Sequence, residues 1–190
     1  MLFRSYLGRE GYCVEFELRE GKQHCQKDTP ELLRRALKRS RRVTNEPVLV
    51  RLDGGNDAMA NIEVVFEHRE QDPHGVDYLI KWNPRRDDPL EWLNYAEKQV
   101  TWSTPREGKR VALFDVWETR PFGGYEYRLR RVMRVVERRI DRQGQALLVP
   151  EVTIEGWWTS LELSGQEVIE LYADHGTSEQ YHSEFKSDRS

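Results

Sequence analysis

Tyr172, His175, Glu179 and Lys186 sit three, four and seven positions apart in the stretch LYADHGTSEQYHSEFKSD, residues 171–188. At about 100° per residue, a helix would gather all four within roughly a 60° arc. A phenol, an imidazole, a carboxylate and an ammonium on one face could form one side of an active site. The carboxylate would then need partners elsewhere in the chain. The same spacing also describes a solvated helix end laced by i,i+4 pairs. Gly176 permits a further reading, in which Thr177 and Gln180 make a capping box. Tyr172 and His175 then precede the helix, and Glu179 lies in its first turn.

A second candidate carboxylate is Asp53. It closes the run EPVLVRLD (46–53), and Gly54 and Gly55 follow it. Sites in parallel α/β sheets form just beyond the carboxyl ends of strands, and glycines let backbone or ligand come close. An Asx-type turn that merely starts a loop reads the same way. Two stretches are strongly basic. Arg34, Arg35, Lys38, Arg39, Arg41 and Arg42 lie within nine residues without an acid among them. In YEYRLRRVMRVVERRI, strand alternation puts Arg128, Arg130, Arg134 and Arg138 on one face, interrupted by Val132 and Val136. Tyr125, Tyr127, Leu129, Met133 and Val135 mark the opposite face as buried. A basic strand face can track phosphates; a solvated face balanced by nearby Glu is the plainer alternative. Trp157 and Trp158 are adjacent, so a strand points them to opposite faces and only one need be core. The other could stack on a base or pack under a loop.

The elements that must carry these residues follow from pattern. GYCVEFEL (11–18) alternates as a strand. Thr29 as cap, Pro30 at the first helical position, and Leu32, Leu33, Ala36 and Leu37 on one face predict a helix of about three turns. The apolar run 46–53 fits a strand buried on both faces. A helical stripe of Ala58, Met59, Ile62, Val65 and Phe66 follows, capped by Asn56 or Asp57, and VDYLIKW (76–82) is a third strand. The order β-α-β-α-β argues for an α/β layer with a parallel component. After a helix at 88–98 the character changes. Residues 99–160 read as antiparallel strands divided by Pro121, Gly123, Gly124 and Gly144, a β-rich block set between pieces of the α/β layer, and a last helix begins near Gln166.

Composition bounds the rest. The chain has 190 residues, 37% hydrophobic and 33% charged. Six Trp, eight Tyr and six Phe argue for a packed core despite that polarity. A net charge of −3 announces no bulk affinity for nucleic acid, so local charge must decide. Cys13 and Cys25 form no C-x-x-C and no disulfide framework, which fits a reducing cytoplasm. His24 beside Cys25 makes a poor zinc pair, and no second pair follows. No run approaches the roughly 18 apolar residues of a membrane span, and the N-terminus does not read as a signal peptide.

Taken together, these pieces resemble a known family. Tyr172, a basic residue at 175, Glu179 and Lys186 are spaced like the Tyr-Arg-Glu-Lys signature of bacterial insertion-sequence transposases, DDE-type enzymes with a ribonuclease-H-like fold. ELREGKQHCQKDTPELL, VLVRLDGGND and YADHGTSEQYHSEFK resemble, in order, three segments of the branch called transposase DDE domain group one. The resemblance implies an α/β, partial ribonuclease-H-like fold with a β-rich insertion between the second and third acidic residues. Residues 1–98 would form the N-terminal part of the core, without its first strand, 99–163 the insertion, and 164–190 a helix returning to the core. It implies three carboxylates holding two Mg²⁺ or Mn²⁺ ions. One ion would activate a water or 3′-hydroxyl, and the other would stabilise the leaving oxygen at a DNA phosphate. Carried over, Asp53 is the second carboxylate and Glu179 the third. Lys186 contacts a phosphate near the transferred strand, Tyr172 positions it, and Trp157 or Trp158 stacks on DNA.

Two departures matter. His175 stands where the family has Arg, and a neutral His cannot clamp a phosphate bidentately. The first aspartate has no counterpart, because the first Asp of this chain is Asp28, just before a helix. The expectation is a fragment, from a truncated or split insertion-sequence reading frame, inactive alone. Its partner is double-stranded DNA (transposon ends and target), with a homodimer in the full-length enzyme. The alternative is a non-catalytic DNA-binding remnant of a decayed insertion sequence.

Overall fold

The computed structural model describes residues 2–7, 12–18, 28–85, 87–141 and 143–174. They form β1 (Leu2–Leu7), β2 (Tyr12–Leu18), α1 (Thr29–Ser40), β3 (Val48–Leu52), α2 (Met59–Gln71), β4 (Val76–Lys81), α3 (Pro89–Gln99), β5 (Trp102–Arg106), β6 (Lys109–Phe122), β7 (Tyr125–Ile140), β8 (Ala146–Thr159) and α4 (Gly165–Ala173). Six strands make one mixed sheet in the order β3-β4-β8-β7-β6-β5, and β1 and β2 pair separately as an antiparallel ribbon. The protein is therefore mixed α/β.

Apolar alternation places helices on both faces of the sheet. On one face, Val50, Tyr78, Ile80, Leu129, Met133 and Trp158 meet Leu33 and Leu37 of α1 and Ile62, Val64 and Val65 of α2. Ala96 of α3 extends this layer over Ala112 and Val135. On the other face, Val168 and Ile169 of α4 pack on Leu79, Val132 and Trp157. Burial of each such side chain contributes about 1.5–3 kcal/mol. The two-layer cover explains why β4 is buried at Val76, Tyr78, Leu79 and Ile80.

Several sequence expectations change here. The strand at 11–18 pairs with β1 and not with the parallel layer, so among the described residues only β3 and β4 are parallel. β3 has β4 as its one neighbour among the described residues and lies at the sheet edge; it is not a strand buried on both faces. The β-rich block is continuous with the layer: Leu79–Lys81 of β4 pair antiparallel with Trp157–Thr159 of β8. Helix α1 is capped by Asp28, at φ of 62°, one residue before Thr29. Ala58 takes the N-cap position of α2, so no side chain caps it. Asn56 and Asp57 are engaged elsewhere, since the Asn56 carbonyl accepts from Asn61 Nδ2 and Asp57 Oδ2 accepts from the Asn83 amide. The β6–β7 hairpin turns through Gly123 and Gly124, with Phe122 opposite Tyr125. Both glycines have positive φ, as a two-residue type I′ turn requires.

Candidate functional site

The carboxyl ends of β3 and β4 and the last turn of α4 meet at one corner. Asp53 follows β3 with extended backbone (φ −77°, ψ 171°) and begins a single 3₁₀ turn, Gly54–Asn56. Its exposed carboxylate accepts 2.8 Å from Asn56 Nδ2, and its carbonyl accepts from the Asn56 amide. The loop is clasped onto the end of β4: Asn83 Nδ2 donates to the Gly54 carbonyl at 3.2 Å, and the Asn83 amide donates to Asp57 at 2.9 Å. A Cβ on Gly54 would lie 3.5 Å from the Lys81 carbonyl and 3.7 Å from Lys81 Cγ, so Lys81 runs alongside the turn that Asp53 opens.

Lys81 dominates the corner. Its ammonium donates to Glu155 Oε1 at 2.8 Å and lies 3.7 Å from the centre of the Trp157 ring and 6.0 Å from that of Tyr172. Arg134 Nε donates to the other oxygen of Glu155 at 2.9 Å. Burial lowers the Lys81 pKa, with Glu155 opposing it. Burial alone would raise the Glu155 pKa, but its bonds to Lys81 and Arg134 outweigh that and hold it below the usual carboxylate range. Arg51, two residues before Asp53, is also pushed down by burial, and Asp174 and Tyr172 act on it in the opposite sense. Tyr172 sits in the last turn of α4 with its ring edge toward Trp157, centroids 6.3 Å apart. The structure therefore brings Tyr172 and the Asp53 loop to a common cation, Lys81. His175, Glu179 and Lys186, with Thr177 and Gln180, lie outside the described residues.

The basic strand face exists as alternation predicts but is divided. Arg134 belongs to the Lys81 corner. Arg130 donates to both oxygens of Asp115, at 3.0 and 3.1 Å, and to the Leu161 carbonyl at 2.7 Å. Arg138 pairs with Glu151. Arg128 has no carboxylate within ion-pair distance among the described residues and instead stacks 4.7 Å from the centre of Trp117. The α1 run is also largely neutralised: Arg34 pairs with Glu31 and Glu67, Arg35 and Arg39 with Glu15, and Arg41 with Asp72.

Trp157 and Trp158 are both core, at 2% and 0% exposure. Trp157 is covered by Lys81 and by its packing with α4, while Trp158 lies under Arg120 and Arg131. Neither ring presents a face to a base in this conformation. The exposed indole is Trp117, at 54%. It borders a cleft of about 500 Å³ whose lining includes Arg69, Arg128, Arg130, Tyr78 and Ser160. Sequence reading missed Trp117, although alternation in RVALFDVWE sets it on the same face as Asp115. It also missed Lys81 and Glu155, which lie in the mostly apolar strands β4 and β8.

Among the described residues, no group of three or more His, Cys, Asp or Glu is arranged to hold a metal ion. Asp53 alone does not make a divalent-cation site. No helix among them is long and apolar enough to cross a membrane. No protein-family model matches the chain, and a search of curated proteins finds no match.

Proposed function

We propose that the chain acts on DNA as part of a DDE-type transposase catalytic domain, in metal-dependent strand cleavage and transfer, with a ribonuclease-H-like core. The observation that carries this reading is the corner itself. Asp53 stands at the carboxyl end of a parallel strand, two residues after Arg51, and the turn it opens lies against Lys81; the Lys81 ammonium in turn shares Glu155 with Arg134 and lies near Tyr172 of α4. Further support comes from the run of β-strands between Asp53 and Glu179 and from the Arg128–Trp117 pair beside an open cleft.

On this reading Asp53 and Glu179 would hold Mg²⁺ or Mn²⁺, which would supply activation of the attacking oxygen and stabilisation of the leaving one. Tyr172, His175 and Lys186 would contact the phosphate, as the signature spacing implies, and Arg128 and Trp117 would take the duplex farther along the sheet. Arg130 and Arg134 would contribute positive charge along the same strand. A two-metal site needs three carboxylates, and among the described residues no such group is gathered. A homodimer bound to transposon ends and target DNA, in the cytoplasm, is the corresponding assembly.

The test is a nicking assay on supercoiled plasmid with Mg²⁺ or Mn²⁺. This chain alone should nick little or not at all while still retarding DNA at low salt. Robust divalent-dependent cleavage abolished by Glu179→Gln would overturn the incomplete-site claim. Absence of any DNA binding would overturn the reading as a whole.

A further inference from the structure

We propose that Lys81 is a phosphate-binding residue of this corner and that Glu155 is its internal placeholder, occupying the position a DNA phosphodiester takes between Lys81 and Arg134. The inference rests on the DNA reading above.

The geometry is that of a bridged anion. One oxygen of Glu155 takes the Lys81 ammonium at 2.8 Å, and the other takes Arg134 Nε at 2.9 Å. A phosphodiester presents the same feature, two anionic oxygens on one centre, and guanidinium and ammonium groups are the side chains that bind it. The Trp157 ring fixes the ammonium from one side at 3.7 Å. That contact limits the entropy lost when the lysine grips a ligand.

The site is not sealed. The side chains of Lys81, Glu155 and Arg134 keep 24%, 34% and 33% of their exposure, unlike the core pair of Arg131 with Glu118, where the arginine keeps 4%. Its place is also specific. The backbone and Cγ of Lys81 lie against Gly54, the residue after Asp53, while its ammonium reaches over β8 to meet Arg134 at Glu155. A carboxylate that already satisfies both cations keeps the free protein from holding unpaired charge. It also lowers affinity for any anion that must displace it.

A purely structural pair tying β4 to β7 and β8 would behave differently. Fluorescence anisotropy with a labelled duplex, across a salt series, separates the two. Lys81→Met should weaken binding by about tenfold and reduce the salt slope by about one phosphate contact. Lys81→Arg, which keeps the charge, should retain the slope. Glu155→Gln should tighten binding several-fold, by roughly the reverse of one charge-assisted contact. Glu151→Gln removes the same charge from the same face of β8, where Glu151 pairs with Arg138, and should change affinity little. Duplex binding by the wild type with Lys81→Met unchanged overturns the proposal but leaves the DNA reading standing. Equal tightening in Glu155→Gln and Glu151→Gln overturns it as well, because the effect is then net charge alone. A wild type that fails to bind at low salt overturns both.

Discussion

Arg131 is the side chain whose burial is hardest to reconcile with its chemistry. It keeps 4% of its exposure, inside a wall of three indoles: Trp82 at 4.4 Å, Trp158 at 4.7 Å and Trp92 at 5.0 Å. Glu118 Oε1 lies 2.6 Å from its Nη2 as an ion pair, and its Nε has no hydrogen-bond partner. Burial lowers its pKa, with Glu118 opposing the shift. The indole faces supply the negative potential that water no longer provides, about 2 kcal/mol where a cation–π contact is desolvated. Removing the acid alone strands the charge, whereas removing both partners does not. Glu118→Gln should therefore lower stability by about 1–3 kcal/mol in urea unfolding, and Arg131→Met in that background should recover part of the loss. A double variant less stable than Glu118→Gln would contradict this account. Strand alternation alone sets position 131 on the core side, between Leu129 and Met133. It could not show that an arginine would be tolerated there, since the indoles that hold it come from residues 82, 92 and 158.

Helix α4 depends on a short-range device that the sequence carries openly. Ser164 accepts from the Glu167 amide at 3.3 Å, and Glu167 Oε2 accepts from the Ser164 amide at 2.8 Å. This is a full capping box ahead of a nine-residue helix. The helix is too short to persist alone, so the cap and the seat of Val168 and Ile169 hold it together. Ser164→Ala should cost about 1 kcal/mol in a thermal or urea melt. It should also loosen the packing of Tyr172 against Trp157, read as increased tyrosine and tryptophan quenching. An unchanged melt would mean the seat alone suffices. At this scale most elements were legible, because period and punctuation are local: 76–82, 88–98 and the hairpins around Gly123 and Gly144 fall where pattern places them. Partnership was not legible. GYCVEFEL reads as a strand whichever ribbon it joins. Nor does a β-rich block reveal that Trp157 will pair with Lys81, 76 positions away in sequence. For the same reason the candidate site was half legible. Asp53 and Tyr172 stood out by position and spacing, while Lys81, Arg134 and Glu155 become a cluster only when β4, β8 and β7 lie side by side.

The whole molecule is tied across its elements by carboxylates held below their ordinary range. Arg41 binds Asp72, linking the ends of α1 and α2, and outweighs the burial that would raise its pKa. Arg110 does the same for Glu137 between β6 and β7. Lys81 and Arg134 do so for Glu155 across β4, β7 and β8. For an acid whose pKa is lower folded than unfolded, the unfolded chain binds the extra proton first as pH falls. The stabilisation is therefore whole above the ordinary carboxylate pKa and is lost as pH drops through the depressed folded values. Three such groups tie three separate joints, so their loss should be felt by the fold as a unit. With 33 acidic and 30 basic residues, protonation also turns a near-neutral molecule strongly cationic, adding self-repulsion in the same pH range. The urea midpoint should stay level between about pH 6 and 8 and fall steeply below about pH 4. Glu155→Gln should make that fall shallower by removing one of the three linked protons. A midpoint that holds level down to about pH 3 would show that these ion pairs are not what joins the layers.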